Sequence, residues 1–131
     1  MLYKKNQIAN HNIIISKESF AKSIMTEKET KITQLIYSRI KQKDPKAEII
    51  LFGSHARGQA TEESDWDILI LIATPKSGRK IEDKYRDELF DIELNIGEPI
   101  STLIYSKKDW ETKFSVTPLY QNIKTEGIML K

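Results

Sequence analysis

Residues 51–72 read LFGSHARGQATEESDWDILILI. An apolar run stops at Gly53-Ser54, ten mostly polar residues follow, and Asp65-Trp66-Asp67 opens a second apolar run. Side chains alternate along a strand, so Asp65 and Asp67 share one face and Trp66 and Ile68 take the other. Two carboxylates this close repel unless they are protonated, solvated or bridged by a cation. A divalent cation is the usual chemical reason to keep such a pair. Mg2+ takes one or two carboxylates and completes its shell with waters and substrate phosphates. Two such ions, roughly 3.5–4 Å apart, would hold the attacking and leaving oxygens of a phosphoryl-type transfer.

The preceding turn suits the same substrate. Gly53 allows backbone to approach a ligand closely, and Ser54 adds a hydroxyl and neighbouring backbone N–H groups for phosphate oxygens. Arg57 carries a fork of donors and reads equally as a phosphate ligand or an ion-pair partner. His55 is a phosphate donor or a packed turn residue. Trp66 is expected behind the sheet, and Ser64 is expected to shape the loop.

The elements that must position these residues are legible in outline. Residues 1–25 read as an N-terminal arm, loosely held or a short strand and turn. Thr26 and Glu29 fit a capping box. Ile32, Leu35, Ile36 and Ile40 continue at helical spacing until Asp44-Pro45. Glu48 to Phe52 and Ile68 to Ala73 are strands, the second apolar on both faces and so central in its sheet. Ile81, Tyr85, Leu89, Ile92 and Ile96 mark a helix closed by Gly97 and Pro99. Ile100 to Tyr105 is a third strand. Ser106 caps a short helix starting at Lys107-Lys108 and carrying Trp110 and Phe114. Thr117-Pro118 starts another, with Leu119, Tyr120 and Ile123, and Gly127 begins a tail. Trp110 and Tyr120 are expected in the core. The order predicts an α+β domain over residues 26–131, a small mixed sheet with flanking helices.

Bulk composition narrows the classes. The chain has 131 residues, 31% charged, without cysteine, which excludes a disulfide framework and a thiolate metal centre. No apolar run nears the roughly 20 residues of a membrane helix, and the expected location is the cytoplasm. Residues 1–50 hold ten Lys/Arg against five Asp/Glu, whereas residues 62–98 hold five against eleven. Without interleaved aromatics the basic half reads as a solvated helix surface, and nucleic acid is not expected as a partner.

Gly53-Ser54, ten residues, then Asp65-Trp66-Asp67 resembles the signature of the DNA polymerase β-like nucleotidyltransferases. The fuller FGSHARGQATEESDWDILI resembles the minimal nucleotidyltransferases, and the element order fits that fold over roughly residues 27–105. The resemblance implies Asp65 and Asp67 as Mg2+ ligands and Gly53 and Ser54 as contacts to a nucleoside triphosphate, ATP being favoured, with Arg57 as a further candidate contact from its own chemistry. It implies transfer of a nucleoside monophosphate to a hydroxyl, with a tyrosine on a helical HEPN-type toxin as one acceptor. The family's third carboxylate lies on a later strand, but the matching segment here, Pro99 to Tyr105, holds no acid. Asp91 and Glu93 are the nearest candidates. On a helix they sit about 200° apart, and Glu93 is the candidate third acid, set against a plain solvated helix charge. A domain that binds nucleotide or partner without turnover is the alternative.

Overall fold

The computed structural model describes residues 17–75 and 78–131. The elements run α1 (Lys17–Ile24), α2 (Glu27–Lys43), β1 (Glu48–Phe52), α3 (Gly53–Arg57), β2 (Trp66–Ile72), α4 (Arg79–Ile96), β3 (Ile100–Ser106), α5 (Lys107–Thr112), α6 (Pro118–Glu126) and β4 (Ile128–Met129). Among the described residues the sheet order is β3-β2-β1-β4. β1 pairs antiparallel with β2 and β4, and β2 pairs parallel with β3. The parallel pair requires a crossover, which α4 supplies.

β2 is central because both of its faces are apolar. Trp66, Ile68, Ile70 and Ile72 pack with Ile49, Leu51 and Ile104 against α1, α2 and α4. Leu69 and Leu71 meet Trp110, Tyr120 and Ile123 of α5 and α6 on the other side. Trp110 and Tyr120 are core residues, as expected.

The caps follow the sequence closely. Thr26 Oγ1 accepts from Glu29 N–H and Glu29 Oε1 accepts from Thr26 N–H, both at 3.0 Å, which closes the capping box of α2. Ser106 and Thr117 cap α5 and α6. Gly97 ends α4 at φ 72. Arg39 of α2 holds Glu88 and Asp91 of α4 at 2.8 and 2.7 Å. One ion-pair seam therefore joins the basic first part of the chain to its acidic middle.

Four features differ from the expectation. Residues 17–24 of the supposed arm form α1, whose Ala21 enters the core, while residues 1–16 lie outside the described residues. The Gly-Ser turn is the start of a short helix, α3, closed by Gly58 at φ 71. β2 begins at Trp66 rather than Ile68, so Asp67 lies inside the strand. The tail after Gly127 adds β4 to the edge of β1, two residues being too few to show an alternating pattern.

Ile70 is fully buried between Ile49 and Ile104. Ile70→Ala is expected to lower unfolding free energy by about 2–5 kcal/mol, read from the midpoint of a denaturant titration; a loss below about 1 kcal/mol would contradict this packing.

Candidate active site

The antiparallel register places Phe52 opposite Asp67. Gly53, the next residue, therefore turns the chain directly over the Asp67 side chain. Its φ is +75, a left-handed conformation. A Cβ at this position would stand 2.9 Å from Asp67 Cγ and closer still to the carboxylate oxygen. Glycine is needed here twice, for the backbone angle and for the approach.

Asp65 precedes β2 and is exposed, and Asp67 is half-buried. The parallel register puts Ser101 of β3 beside Asp67, and Ser101 Oγ donates to Asp65 Oδ2 at 3.3 Å. Burial pushes the Asp67 carboxyl above the usual carboxylate range, and the charge of Asp65 pushes the same way. His55 and Arg57 oppose that rise, and Glu126 adds to it. The pair is thus an electrostatically uncomfortable dyad beside a glycine-opened backbone. Ser54 Oγ makes no hydrogen bond among the described residues.

Arg57 is already engaged. Its Nη1 donates to Glu126 Oε2 at 3.1 Å and its Nε to Gln59 Oε1 at 3.1 Å. The same Glu126 oxygen accepts from Gly53 N–H at 2.7 Å. Sequence reasoning missed Glu126, because nothing in its local pattern ties the last residue of α6 to residue 53. It also passed over Ser101, which stands in the strand where the third acid was sought.

His55 turns to the opposite side of the sheet. Its ring stacks on Trp66, with centroids 3.6 Å apart and planes within 7°. Its Nδ1 donates to Glu29 Oε2 at 2.8 Å, and its buried Nε2 has no partner among the described residues. Trp66 Nε1 donates to Glu98 Oε1 at 2.9 Å, and Glu98 pairs with Lys28. His55 and Trp66 brace the segment between the aspartates from behind.

Neither candidate acid of α4, Asp91 or Glu93, joins the dyad. Glu93 Oε1 accepts from Ile100 N–H at 2.8 Å, tying the end of α4 to β3, and no described contact links it to Asp65 or Asp67. Asp91 is held by Arg39.

The described residues contain no cluster of three or more His, Asp or Glu arranged for a metal. The dyad does fit a Mg2+ whose remaining ligands are water and substrate phosphates, since that ion needs only one or two protein carboxylates.

A family model described as "Nucleotidyltransferase domain" matches residues 34–126, which span β1, α3 and β2. The chain belongs to this nucleotidyltransferase family. A relative from Methanocaldococcus jannaschii named "Putative protein adenylyltransferase" is 37% identical over 90 residues, 66% of this chain; the chain spans 60% of that relative's length. A solved toxin–antitoxin with AMP-PNP aligns over 76% of this chain and 72% of its own, at 22% identity and a TM-score of 0.56. At that identity the likeness shows a shared fold alone. A Cid1 poly(U) polymerase with MgGTP covers 58% of this chain and 27% of its own, at 25% identity and a TM-score of 0.41. No helix of the described residues is long and apolar enough to cross a membrane.

The raised Asp67 carboxyl predicts a stability signature. A folded-state pKa above the unfolded value favours folding when the group is protonated, and that contribution is lost as pH rises through the folded pKa. In metal-free buffer at pH 7 the ionised Asp67 therefore opposes folding. Asp67→Asn should melt higher than the wild type there, and the difference should shrink as the pH falls through the raised pKa. A variant that melts at or below the wild-type temperature at pH 7 would contradict this.

Proposed function

We propose that this protein is a Mg2+-dependent nucleotidyltransferase that moves a nucleoside monophosphate, AMP by preference, from a nucleoside triphosphate to a hydroxyl. The observation that carries the reading is the fit of Gly53 over Asp67, with Asp65 two residues before it and the Ser54 hydroxyl without a hydrogen-bond partner among the described residues. The reading is supported by a turn whose backbone lies open beside two carboxylates.

In this reading Asp65 and Asp67 hold the metal–triphosphate, and Ser54 Oγ, Gly53 N–H and Arg57 donate to phosphate oxygens. The ion, when bound, neutralises the charge that develops between the dyad and the triphosphate. The chain's own contribution is position: the acceptor oxygen forms its bond to the α phosphorus as the bond to pyrophosphate breaks. Ser101 keeps Asp65 turned toward β3 through its hydroxyl.

Adenylyl transfer to a protein is supported by the name of the Methanocaldococcus jannaschii relative. A HEPN-type helical toxin as the protein carrying the acceptor tyrosine rests on the resemblance to the minimal nucleotidyltransferases. A chain using ATP and Mg2+ in this way belongs in the cytoplasm. Ser101 favours a second reading, because β3 offers a hydroxyl rather than an acid beside Asp67. Such a domain would hold nucleotide and partner without turnover.

The two readings separate in one assay. The protein is purified with the product of its neighbouring gene and incubated with Mg2+ and ATP labelled at the α or the γ phosphate. Label from the α position should move to protein, and Asp65→Asn should reduce transfer by at least about a hundredfold. Transfer of γ label, or α transfer indifferent to Asp65, would contradict the proposal; nucleotide binding without transfer would favour the non-catalytic reading.

A further inference from the structure

The Gly53 N–H and the Arg57 guanidinium, two donors that the proposed function gives to a phosphate, are both taken by one carboxylate oxygen, Glu126 Oε2. A backbone N–H has one hydrogen to give, so a phosphate oxygen and Glu126 cannot both be served well by Gly53. A carboxylate and a phosphate pressed against the same guanidinium would also repel each other. Glu126 is mostly buried, its side chain 21% exposed, so it is not a loosely solvated surface group that drifts aside without cost.

We propose that Glu126 occupies the phosphate seat of the nucleotide-free protein and must swing out for a triphosphate to bind. The inference rests on the proposed nucleotide site and adds its regulation: the chain carries an internal competitor for its own ligand. The movement belongs to the side chain. Gly127 follows immediately, its N–H bonded to Ile123 carbonyl at 2.7 Å. A Cβ there would lie 2.8 Å from Ile50 Cγ2. The next residue, Ile128, pairs with Leu51 in β4. The backbone at the end of α6 is therefore packed against β1 and leaves only the Glu126 side-chain torsions to turn.

The competitor has a chemical consequence. It keeps both donors paired while no nucleotide is bound, since Gly53 N–H and Arg57 Nη1 each have their acceptor in Glu126 Oε2. It also sets a threshold, because the incoming ligand must offer more than one carboxylate does. A metal-bound triphosphate meets that threshold through several oxygens at once.

The test is equilibrium binding of labelled ATP with Mg2+ to the wild type, Glu126→Ala, Glu126→Gln and Asp65→Asn, each first shown to melt cooperatively. The amide resonance of Gly53 is followed in parallel. Glu126→Ala should bind at least about tenfold more tightly, the scale of one hydrogen bond to a charged group. Glu126→Gln, which keeps an acceptor oxygen without the charge, should fall between it and the wild type. The Gly53 resonance should shift in the nucleotide-free Glu126→Ala protein and move again with MgATP. If wild-type binding depends on Asp65 while both Glu126 variants bind equally or more weakly, the competitor is overturned and Glu126 instead props the seat in shape. If none of the four proteins binds nucleotide, the nucleotide site itself falls, and the competitor with it.

Discussion

The contact between the Gly53 backbone and the Asp67 carboxylate is the constraint from which the rest of the site follows. It exists because β1 and β2 are antiparallel in a register that sets Phe52 against Asp67. The chain leaves β1 one residue later, and only a residue without Cβ leaves room for the carboxylate. A one-residue slip would send Asp67 to the face packed by α2 and α4, and would bring Trp66 and Ile68 out. The apolar residues on both faces of β2 hold that register. The hydrophobic core and the chemistry are in this sense one arrangement.

The bracing behind the dyad extends the same logic. Trp66 lies between the two aspartates in sequence and points the other way, where His55 stacks on it. Glu29 serves both ends of this support, since one of its oxygens completes the cap of α2 and the other holds His55. Burial disfavours the Glu29 charge, but the hydrogen bonds from Thr26 and His55 outweigh it and keep its carboxyl below the usual range. The Glu98 carboxyl is likewise held low by hydrogen bonds from Lys28 and then Trp66. These pairings pin α2 and the α4–β3 connection to the residue between the aspartates. The face of the aspartate dyad is left with charges that repel and the supporting face with charges that are matched, the pattern expected where function is built at the expense of local stability.

Elements with a strong local signature were legible in the sequence. The capping box at Thr26, the long period of α4 and the central position of β2 all rest on patterns within a single element, the longest of 18 residues. The candidate site was legible as far as a contiguous stretch could carry it: Gly53 lies against Asp67, and Asp65 is two residues before it. What escaped reading depends on pairings distant along the chain. Glu126 reaches Gly53 across 73 positions, and Ser101 meets Asp65 through strand register. His55, two residues after the glycine, turns away from the aspartate dyad, stacking on Trp66 and bonding to Glu29. α3 was too short to show a helical period, and α1 acquires its role from Ala21 packing into a core built by later elements.

The most direct measurement is calorimetric titration of ATP, CTP, GTP and UTP into the wild type and Asp65→Asn, with Mg2+ and with chelator. Saturable heat is expected for at least one nucleotide only when both the metal and Asp65 are present, with melting of the unliganded variant unchanged or raised. Affinity that survives removal of Mg2+ and substitution of Asp65 alike would contradict the assignment of this dyad as the seat of the metal–triphosphate.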